Sequence, residues 1–356
     1  MTNENIVIAI FVCALLASAL GVYLFFVRMA YHRGTARGAI RLIVGNALIL
    51  LVALSLVLVG GEIYFRFIYD GTDAFGLAKV NQAWLRRHYQ LNDQGLRDSI
   101  NDYPPAPPPG VRRITFIGDS FTEGHGIANV DDRFTNLIRA KYPQWQVHVF
   151  ARGGLDTHAA LTMLGTMAKR GYQFDTLVLV YNLNDIADLM PQWQDVSDRI
   201  WRHYKPGFII QHSYFLNFVF YRVKAINDPD MSNYFQFLRG AYDAESPYWK
   251  RQAQLLSVFK EAMDVQGGRL LVVTFPFLHQ LGEQYAFADA HARLEERWAS
   301  LNVPHLDLLD TFAGQSPSEM TVNRFDAHPN EQAHAIAADA IGRFLEQHME
   351  ESNELR

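Results

Sequence analysis

Residues 114–124 read ITFIGDSFTEG. Its first four residues form a short apolar run with β-branched members, which is typical of a buried strand. Gly118, Asp119 and Ser120 follow at once. A serine at a strand-to-helix turn presents its hydroxyl above the end of the strand, and the free N–H groups of the turn point toward any oxyanion formed there. Because Gly-Asp-Ser is also an ordinary turn, its meaning depends on the rest of the chain.

Apolar strands and helical segments alternate after this stretch. The predicted strands are 114–117, 147–150, 176–180, 270–275 and 305–308, and the predicted helices are 134–140, 157–170, 255–263, 290–301 and 331–348. This alternation predicts the α/β class, with a mostly parallel sheet covered by helices on both faces. In such sheets the chemistry lies in loops at the carboxyl ends of the strands.

The N-terminal part of the chain is strongly apolar. Residues 6–27 and 42–61 are uncharged runs of 22 and 20 residues. Each is long enough to cross about 30 Å of hydrocarbon as a helix. A buried core helix and a cleaved signal peptide are the alternatives; the sequence 17–19 (Ala-Ser-Ala) resembles a cleavage site, but the N-terminus lacks the basic start of a signal peptide. We therefore predict two transmembrane helices.

The loop between the two runs predicts the orientation. It contains no acidic residue and four arginines, namely Arg28, Arg33, Arg37 and Arg41. Short positively charged loops stay in the cytoplasm. We therefore expect a two-pass protein of the inner (cytoplasmic) membrane, with its C-terminal domain in the periplasm or outside the cell.

The chain divides into three predicted regions. Residues 1–67 form the transmembrane anchor, residues 68–111 form a connector that ends in a proline-rich run, and residues 112–350 form the catalytic domain. Proline-rich runs favour a stiff extended conformation. Residues 191–249 are rich in aromatic side chains, including Trp201, and interrupt the α/β pattern. We interpret them as an insertion that walls the site or forms a helical subdomain.

Composition excludes several classes of protein. The net charge of −5 is mild and argues against a nucleic acid partner. Cys13 is the only cysteine, so the chain has no intramolecular disulfide.

Besides the Gly-Asp-Ser block that contains Ser120, three further sequence blocks carry candidate site residues. His328 stands before the last helix, where it can take a proton from a serine while Asp326 orients its ring. Gly154 follows the second strand, where a glycine lets the backbone approach a substrate. Asn184 follows the third strand, where its amide can donate to an oxyanion. Each block alone also fits a cap or a turn, but all four are predicted at one edge of the sheet.

A metal site is the competing chemistry. The residues of suitable type are Asp119, His125, Asp156, His158, Asp185 and His334. None has a tight ligand spacing along the chain. We therefore expect no metal and no other cofactor.

With four blocks in this order, the chain resembles the SGNH/GDSL hydrolase family over about residues 112–345. The resemblance implies a flavodoxin-like three-layer fold. It also implies that Ser120 is the nucleophile, His328 its base and Asp326 the acid. The implied oxyanion hole consists of the N–H groups of Ser120 and Gly154 and the side chain of Asn184.

The chain departs from the family pattern at two positions, and its second block offers two glycines as donors. The family's acid usually precedes the histidine by three residues, where this chain has Phe325, so Asp310 is the alternative acid to Asp326. Asn182 replaces a glycine of the third block. Gly153 is the alternative donor in the second block.

The resemblance implies a serine esterase or acyl-transfer enzyme that acts on O-acyl esters of cell-envelope or extracellular carbohydrate. The alternatives are an O-acetyltransferase subunit that works with a membrane acyl donor protein, a lipid esterase, and a non-catalytic scaffold. The expected partners are an acylated carbohydrate or lipid substrate, the bilayer and a membrane acyltransferase. The aromatic stretch at 191–249 could stack on sugars or bind acyl chains.

Overall fold

A computed structural model describes residues 2–31, 38–73, 76–198 and 204–354. Arg33, Arg37 and Trp201 lie outside the described residues. The chain forms two compact units. The first contains Met1–Gly71, Phe75–Trp84 and Ile200–Asp228, and the second contains Thr72–Ala74, Leu85–Arg199 and Pro229–Arg356.

The second unit is built on a parallel sheet of five strands. The strands are β1 (Arg112–Gly118), β2 (Trp145–Ala151), β3 (Thr176–Asn182), β4 (Arg269–Phe275) and β5 (His305–Asp307). Their order in the sheet is β2-β1-β3-β4-β5, with every pair parallel. The chain leaves β1 toward one edge and returns to place β3 on its other side. The carboxyl ends of β1 and β3 are therefore the switch point where sheets of this order bind ligands.

Helices cover both faces of this sheet. In chain order the helices of the protein are α1 (Asn3–Tyr31), α2 (Gly38–Ile63), α3 (Lys79–His88), α4 (Ser120–Glu123), α5 (Phe134–Lys141), α6 (Thr157–Lys169), α7 (Pro191–Asp198), α8 (Phe208–His212), α9 (Tyr214–Asn227), α10 (Pro229–Ala241), α11 (Pro247–Gln266), α12 (Ala288–Ser300), α13 (Pro317–Met320) and α14 (Glu331–Glu354). The sheet faces are apolar on both sides because alternate strand residues enter two separate cores. Helices α6, α11 and α12 pack on one face, and α5 and α14 pack on the other.

The α/β class predicted from the sequence is confirmed. Each predicted strand and helix corresponds to an element of the sheet or its flanking layers. The helix predicted at 255–263 is longer, because α11 begins at Pro247 with the Ser246 hydroxyl accepting the N–H of Tyr248. The loop expected at His328 is instead a short antiparallel hairpin of β6 (Thr321–Asn323) and β7 (Asp326–Pro329).

In the first unit, α1 and α2 pack against each other and carry exposed apolar side chains. The ranges Asn3–Met29 and Gly38–Ile68 are long and apolar enough to cross a membrane, by length and composition. The two helices approach closely at glycines: a Cβ on Gly45 would lie 3.1 Å from the Phe25 ring. Small residues at such contacts are typical of helix pairs in membranes.

A buried carboxylate joins α2 to α9 in the first unit. Glu62 accepts hydrogen bonds from the Ser213 hydroxyl (2.6 Å) and from the N–H groups of Tyr214 (3.1 Å) and Phe215 (3.2 Å). A negative charge is favourable at a helix N-terminus, where backbone N–H groups lack intrahelical acceptors. Two helices of the aromatic stretch therefore pack within this unit, α8 against α1 and α9 against α2.

Candidate active site

The turn after β1 places Ser120 above the sheet. Asp119 is the N-cap of α4, and its Oδ1 accepts the N–H of Phe121 at 2.9 Å. Gly118 has no room for a side chain, because a Cβ there would lie 2.8 Å from the Val180 carbonyl of β3. The helix ends after one turn at Gly124, whose φ of 77° favours glycine. The sequence therefore folds locally into the strand-to-helix turn that was predicted.

Ser120, His328 and Asp326 form a continuous hydrogen-bonded chain. His328 Nε2 lies 2.8 Å from Ser120 Oγ, and His328 Nδ1 lies 2.5 Å from Asp326 Oδ1. The backbone N–H of His328 also donates to Asp326 Oδ1, at 3.1 Å. Hairpin β6–β7 brings both residues to the nucleophile turn, although 208 positions separate Ser120 from His328. The arrangement suits proton transfer from the serine to the imidazole.

Opposite shifts of pKa accompany this pair. Burial alone would raise the pKa of Asp326, but the charge and hydrogen bond of His328 hold it well below its usual value. Burial alone would lower the pKa of His328, but Asp326, with smaller contributions from Asp119 and Glu123, raises it. The carboxylate and the imidazolium thus stabilise each other, which is what a base needs after it has taken a proton.

The loop after β2 presents two glycines with different roles. The N–H of Gly153 donates to Glu123 Oε2 at 2.9 Å, and the same oxygen accepts the Tyr89 hydroxyl at 3.1 Å. Gly154 has φ of 73°, and its N–H has no acceptor among the described residues. Of the two predicted donors, Gly154 is therefore the one whose N–H is available to an oxyanion.

Asn184 is the second residue of the 3₁₀ turn Leu183–Leu189 that follows β3. Its N–H donates to the side chain of Asn182 at 3.3 Å, so Asn182 caps the turn at the position where a glycine was expected. Since β1 and β3 are neighbours, Asn184 and Ser120 stand at the same switch point of the sheet. The structure therefore brings the four sequence blocks to one edge.

The alternative acid lies elsewhere. Asp310 is exposed in the turn after β5, and no hydrogen bond joins its side chain to His328 among the described residues. Asp326 occupies the position beside the imidazole. The two-residue spacing works because Asp326 and His328 are alternate residues of one strand, so their side chains point to the same side.

The six residues considered as metal ligands have separate environments. Asp156 caps α6 by accepting the N–H of Ala159, and His158 is exposed. His334 accepts the N–H of Phe134 and so caps α5, while burial lowers its pKa to about 3. Asp185 accepts the Thr157 hydroxyl, and burial raises its pKa. Asp119 caps α4 by accepting the N–H of Phe121.

His125 lies beside two residues of the hydrogen-bonded chain. Its side chain and those of Asp326 and His328 offer ligand atoms that all lie within 4.8 Å of one another. Both nitrogens of His328 already face Ser120 and Asp326, at 2.8 and 2.5 Å. These atoms could hold a metal ion only if that hydrogen-bonded chain opened, so the arrangement fits proton transfer better than metal binding.

Two positions that contact residues of the site escaped the sequence reasoning. Glu123 follows Ser120 by three residues and receives the N–H of Gly153, yet a carboxylate at that spacing also fits an ordinary first helical turn. Thr72 donates its hydroxyl to Asp326 Oδ2 across 254 positions of sequence. The sequence carries no local pattern that would reveal such a contact.

Comparisons with known proteins give matches among solved structures. No family model and no curated protein sequence matches this chain. A two-domain esterase active on acetylated mannans is 15% identical with a TM-score of 0.38; the match covers 67% of this chain and 49% of the esterase, so the chain spans about half its length. An acetyl xylan esterase is 13% identical with a TM-score of 0.38, covering 64% of this chain and 97% of that one. A member of the lipolytic protein G-D-S-L family from Veillonella parvula is 13% identical with a TM-score of 0.39. The match covers 65% of this chain and 96% of that one. Two of these three solved structures are esterases, and the third is a member of the lipolytic G-D-S-L family.

Proposed function

We propose that this protein is a serine esterase or acyl-transfer enzyme that cleaves O-acyl esters through an acyl-serine intermediate on Ser120. The observation that carries the proposal is the hydrogen-bonded chain from Ser120 Oγ through His328 to Asp326. A serine hydroxyl is a weak nucleophile, and an adjacent base held by a third group is what activates it.

The proposed reaction has two steps. His328 Nε2 accepts the proton as Ser120 Oγ attacks the ester carbonyl carbon, and the new imidazolium then gives that proton to the departing alcohol. A water molecule, or a second alcohol, next attacks the acyl-serine while His328 removes its proton, and Ser120 is regenerated. Water gives a hydrolase, whereas a sugar hydroxyl gives an O-acyltransferase.

The oxyanion of each tetrahedral intermediate needs donors on the other side of the carbonyl. We assign these to the N–H groups of Ser120 and Gly154 and to the Asn184 amide. One such donor typically lowers the barrier by about 3 kcal/mol. The engagement of the Gly153 N–H with Glu123 supports the choice of Gly154.

Acylated carbohydrate is the substrate class that we favour. An aromatic pair, Trp193 on α7 and Tyr234 on α10, has ring centroids 4.5 Å apart in the second unit. Asp188 lies in the turn Leu183–Leu189 after β3, and the side chain of Trp193 counteracts the burial that raises the pKa of Asp188 to about 6. Aromatic rings that are partly buried and carry a polar group suit sugar stacking. Trp193→Ala should raise KM for an acetylated oligosaccharide more than KM for p-nitrophenyl acetate, and Trp193→Phe should restore most of the loss.

The location that we propose is the inner membrane, with α1 and α2 as spans and the second unit in the periplasm or outside the cell. Arg28 and Arg41 flank the loop that would stay in the cytoplasm. Impermeant maleimide applied to intact cells tests this, because Cys13 is the only cysteine and can be replaced. A cysteine placed at exposed Lys250 should be labelled, and labelling only after cell lysis would overturn the orientation.

Kinetics of the full chain in detergent micelles test the proposed chemistry. We expect p-nitrophenyl acetate hydrolysis by the wild type and a fall of at least about 10³-fold in kcat/KM for Ser120→Ala. Exposed Ser300 provides the matched control, and Ser300→Ala should keep the wild-type rate. Equal rates in Ser120→Ala and wild type would refute the serine mechanism.

A membrane-bound O-acyltransferase is the second candidate, and the candidate spans favour it. Such an enzyme would receive its acyl group from a membrane donor protein. It would transfer an acetyl group from the acyl-serine to an added sugar, which mass spectrometry of the sugar detects. Release of free acetate alone, with sugar present at saturating concentration, would favour the esterase.

A further inference from the structure

Asp326 is fully buried, and both of its oxygens have partners. Only 1% of the residue is exposed. Oδ1 accepts hydrogen bonds from Nδ1 and from the backbone N–H of His328, at 2.5 and 3.1 Å. Oδ2 receives the Thr72 hydroxyl and lies 3.5 Å from His125 Nε2. Two N–H groups of His328 hold Oδ1 and the Thr72 hydroxyl holds Oδ2, so the orientation of the carboxylate depends on these donors.

Thr72 is itself held in place by the hairpin that carries the acid. It is 1% exposed, and its carbonyl oxygen accepts the Asn323 side-chain amide at 3.3 Å. Asn323 is the residue that pairs with Asp326 across β6 and β7. Thr72 therefore contacts the acid through its hydroxyl and the opposite strand through its backbone.

His125 closes the same arrangement from the nucleophile turn. Its N–H donates to the Ser120 carbonyl at 3.0 Å, and its ring nitrogen Nε2 lies 3.3 Å from the Asp73 carbonyl. Burial is the main cause that lowers its pKa to about 4, so the ring is neutral at neutral pH. Residues 72 and 73 thus contact both the acid and the turn of Ser120.

We propose that Thr72 is a positioning residue of the catalytic site, and that its hydroxyl fixes the Asp326 carboxylate with Oδ1 toward His328. This inference rests on the proposed function of Ser120. A side-chain hydroxyl is the only polar group that position 72 supplies to Oδ2. Removing it leaves Oδ2 without its hydroxyl donor, so the carboxylate is held mainly at Oδ1 and can tilt, which weakens the hydrogen bond that orients the imidazole.

Thr72 also lies very close in sequence to the candidate spans. The second of these ends at Ile68, four residues earlier. A catalytic domain cut at the proline-rich run, after residue 103, would lose the hydroxyl. We therefore expect the acid to be fully positioned only in a chain that retains residue 72.

The test compares Thr72→Val, which keeps the shape and loses the hydroxyl, with Thr72→Ser, which keeps the hydroxyl. A hydrogen bond to a charged group typically contributes about 1.5–3 kcal/mol, so kcat for p-nitrophenyl acetate should fall about tenfold to a hundredfold in Thr72→Val. KM should stay within about twofold, because Thr72 makes no proposed contact with substrate. Thr72→Ser should recover most of the rate.

A second readout is the rate at which a fluorophosphonate phosphonylates Ser120 in the full chain. This reaction forms the O–P bond and releases fluoride, and it needs the activated serine rather than a bound sugar. We expect it to slow in Thr72→Val in proportion to kcat. Thr166→Val, on the exposed side of α6, is the matched control, and its Ser120 should be labelled at the wild-type rate. The thermal midpoint of each variant reports whether it is folded.

The outcomes separate the two proposals. A folded Thr72→Val with wild-type kcat and labelling rate overturns the role of Thr72 and leaves Ser120 as the nucleophile. Equal losses in Thr72→Val and Thr72→Ser also overturn it, because position 72 would then act through packing. A wild type that neither turns over nor labels at Ser120 overturns the proposed function, and the positioning role falls with it.

Discussion

Asp119 and Asp326 are both buried beside the Ser120–His328 pair, yet their surroundings differ in almost every respect. Asp326 has donors on both oxygens, and its pKa lies well below the usual value. Asp119 uses Oδ1 to cap α4, while its Oδ2 is buried with no partner among the described residues. Burial raises the pKa of Asp119 to about 6.

The difference separates two uses of a buried carboxylate. Donors at each oxygen keep Asp326 ionised, so it can stabilise a charged imidazole. Asp119 lacks that support, so burial raises its pKa, and its Oδ1 serves as a local cap in a tight turn. Proximity to the catalytic pair therefore does not identify the acid, whereas the number of donors on each oxygen does.

The largest expected effect is on turnover in Asp326→Asn. The amide cannot stabilise the imidazolium or hold the required tautomer, so kcat should fall by about 10³–10⁴-fold. Steady-state hydrolysis of p-nitrophenyl acetate measures it. The matched control is Asp310→Asn, the alternative acid, which should keep the wild-type kcat. A larger loss in the Asp310 variant would contradict the assignment.

The two aspartates should change the unfolding free energy with pH in opposite directions, because the folded pKa of Asp119 is raised and that of Asp326 is lowered. The folded pKa of Asp119 is raised, so the carboxyl costs stability once pH exceeds the unfolded value of 3.8, and the cost is complete above about 6. Relative to the wild type, Asp119→Asn should therefore gain on the order of 2–3 kcal/mol between pH 4 and pH 8. Urea unfolding in micelles at both pH values measures this difference.

Asp326→Asn should show the opposite behaviour. A depressed folded pKa contributes stability that is present above 3.8 and is lost as pH falls toward the folded value. The variant should be less stable than the wild type at pH 8, and the deficit should shrink on acidification. The same sign for both aspartates would show that their environments do not differ as described.

Much of this architecture is predictable from sequence. Strands β1, β3 and β4 are continuous apolar runs because both faces of the sheet are buried. The blocks that follow β1, β2 and β3 lie at one edge of the sheet because these strands are parallel. The hairpin β6–β7 was missed since its short strands contain Asn323 and Asp326 rather than alternating apolar residues.

The surroundings of the acid could not be predicted. The contact between Thr72 and Asp326 depends on how segments 254 positions apart pack together, which no local pattern encodes. His334 had the residue type of a metal ligand, but the N–H of Phe134 that it accepts belongs to a helix 200 positions away. Sequence therefore identified the residue types of the site, and tertiary packing determined which of them have partners.

The smallest expected effect is on the pH dependence of kcat/KM. His328 must be neutral to accept a proton, and its pKa is raised above the usual 6.5 by Asp326, Asp119 and Glu123. Activity should thus fall on acidification from a pH above 6.5. In Asp119→Asn this acidic limb should move to lower pH, because one of the charges that raise the pKa of His328 is gone. Asp339→Asn, at an exposed ion pair with Lys141, should leave the limb in place.

The most direct test of the central claim is the mass of the full chain after a brief reaction with p-nitrophenyl acetate or a fluorophosphonate. We predict one covalent adduct that peptide mapping places on Ser120, that is absent from Ser120→Ala and that forms far more slowly in Asp326→Asn. An adduct on another residue, or none on a folded wild-type chain, would contradict the assignment of Ser120 as the nucleophile.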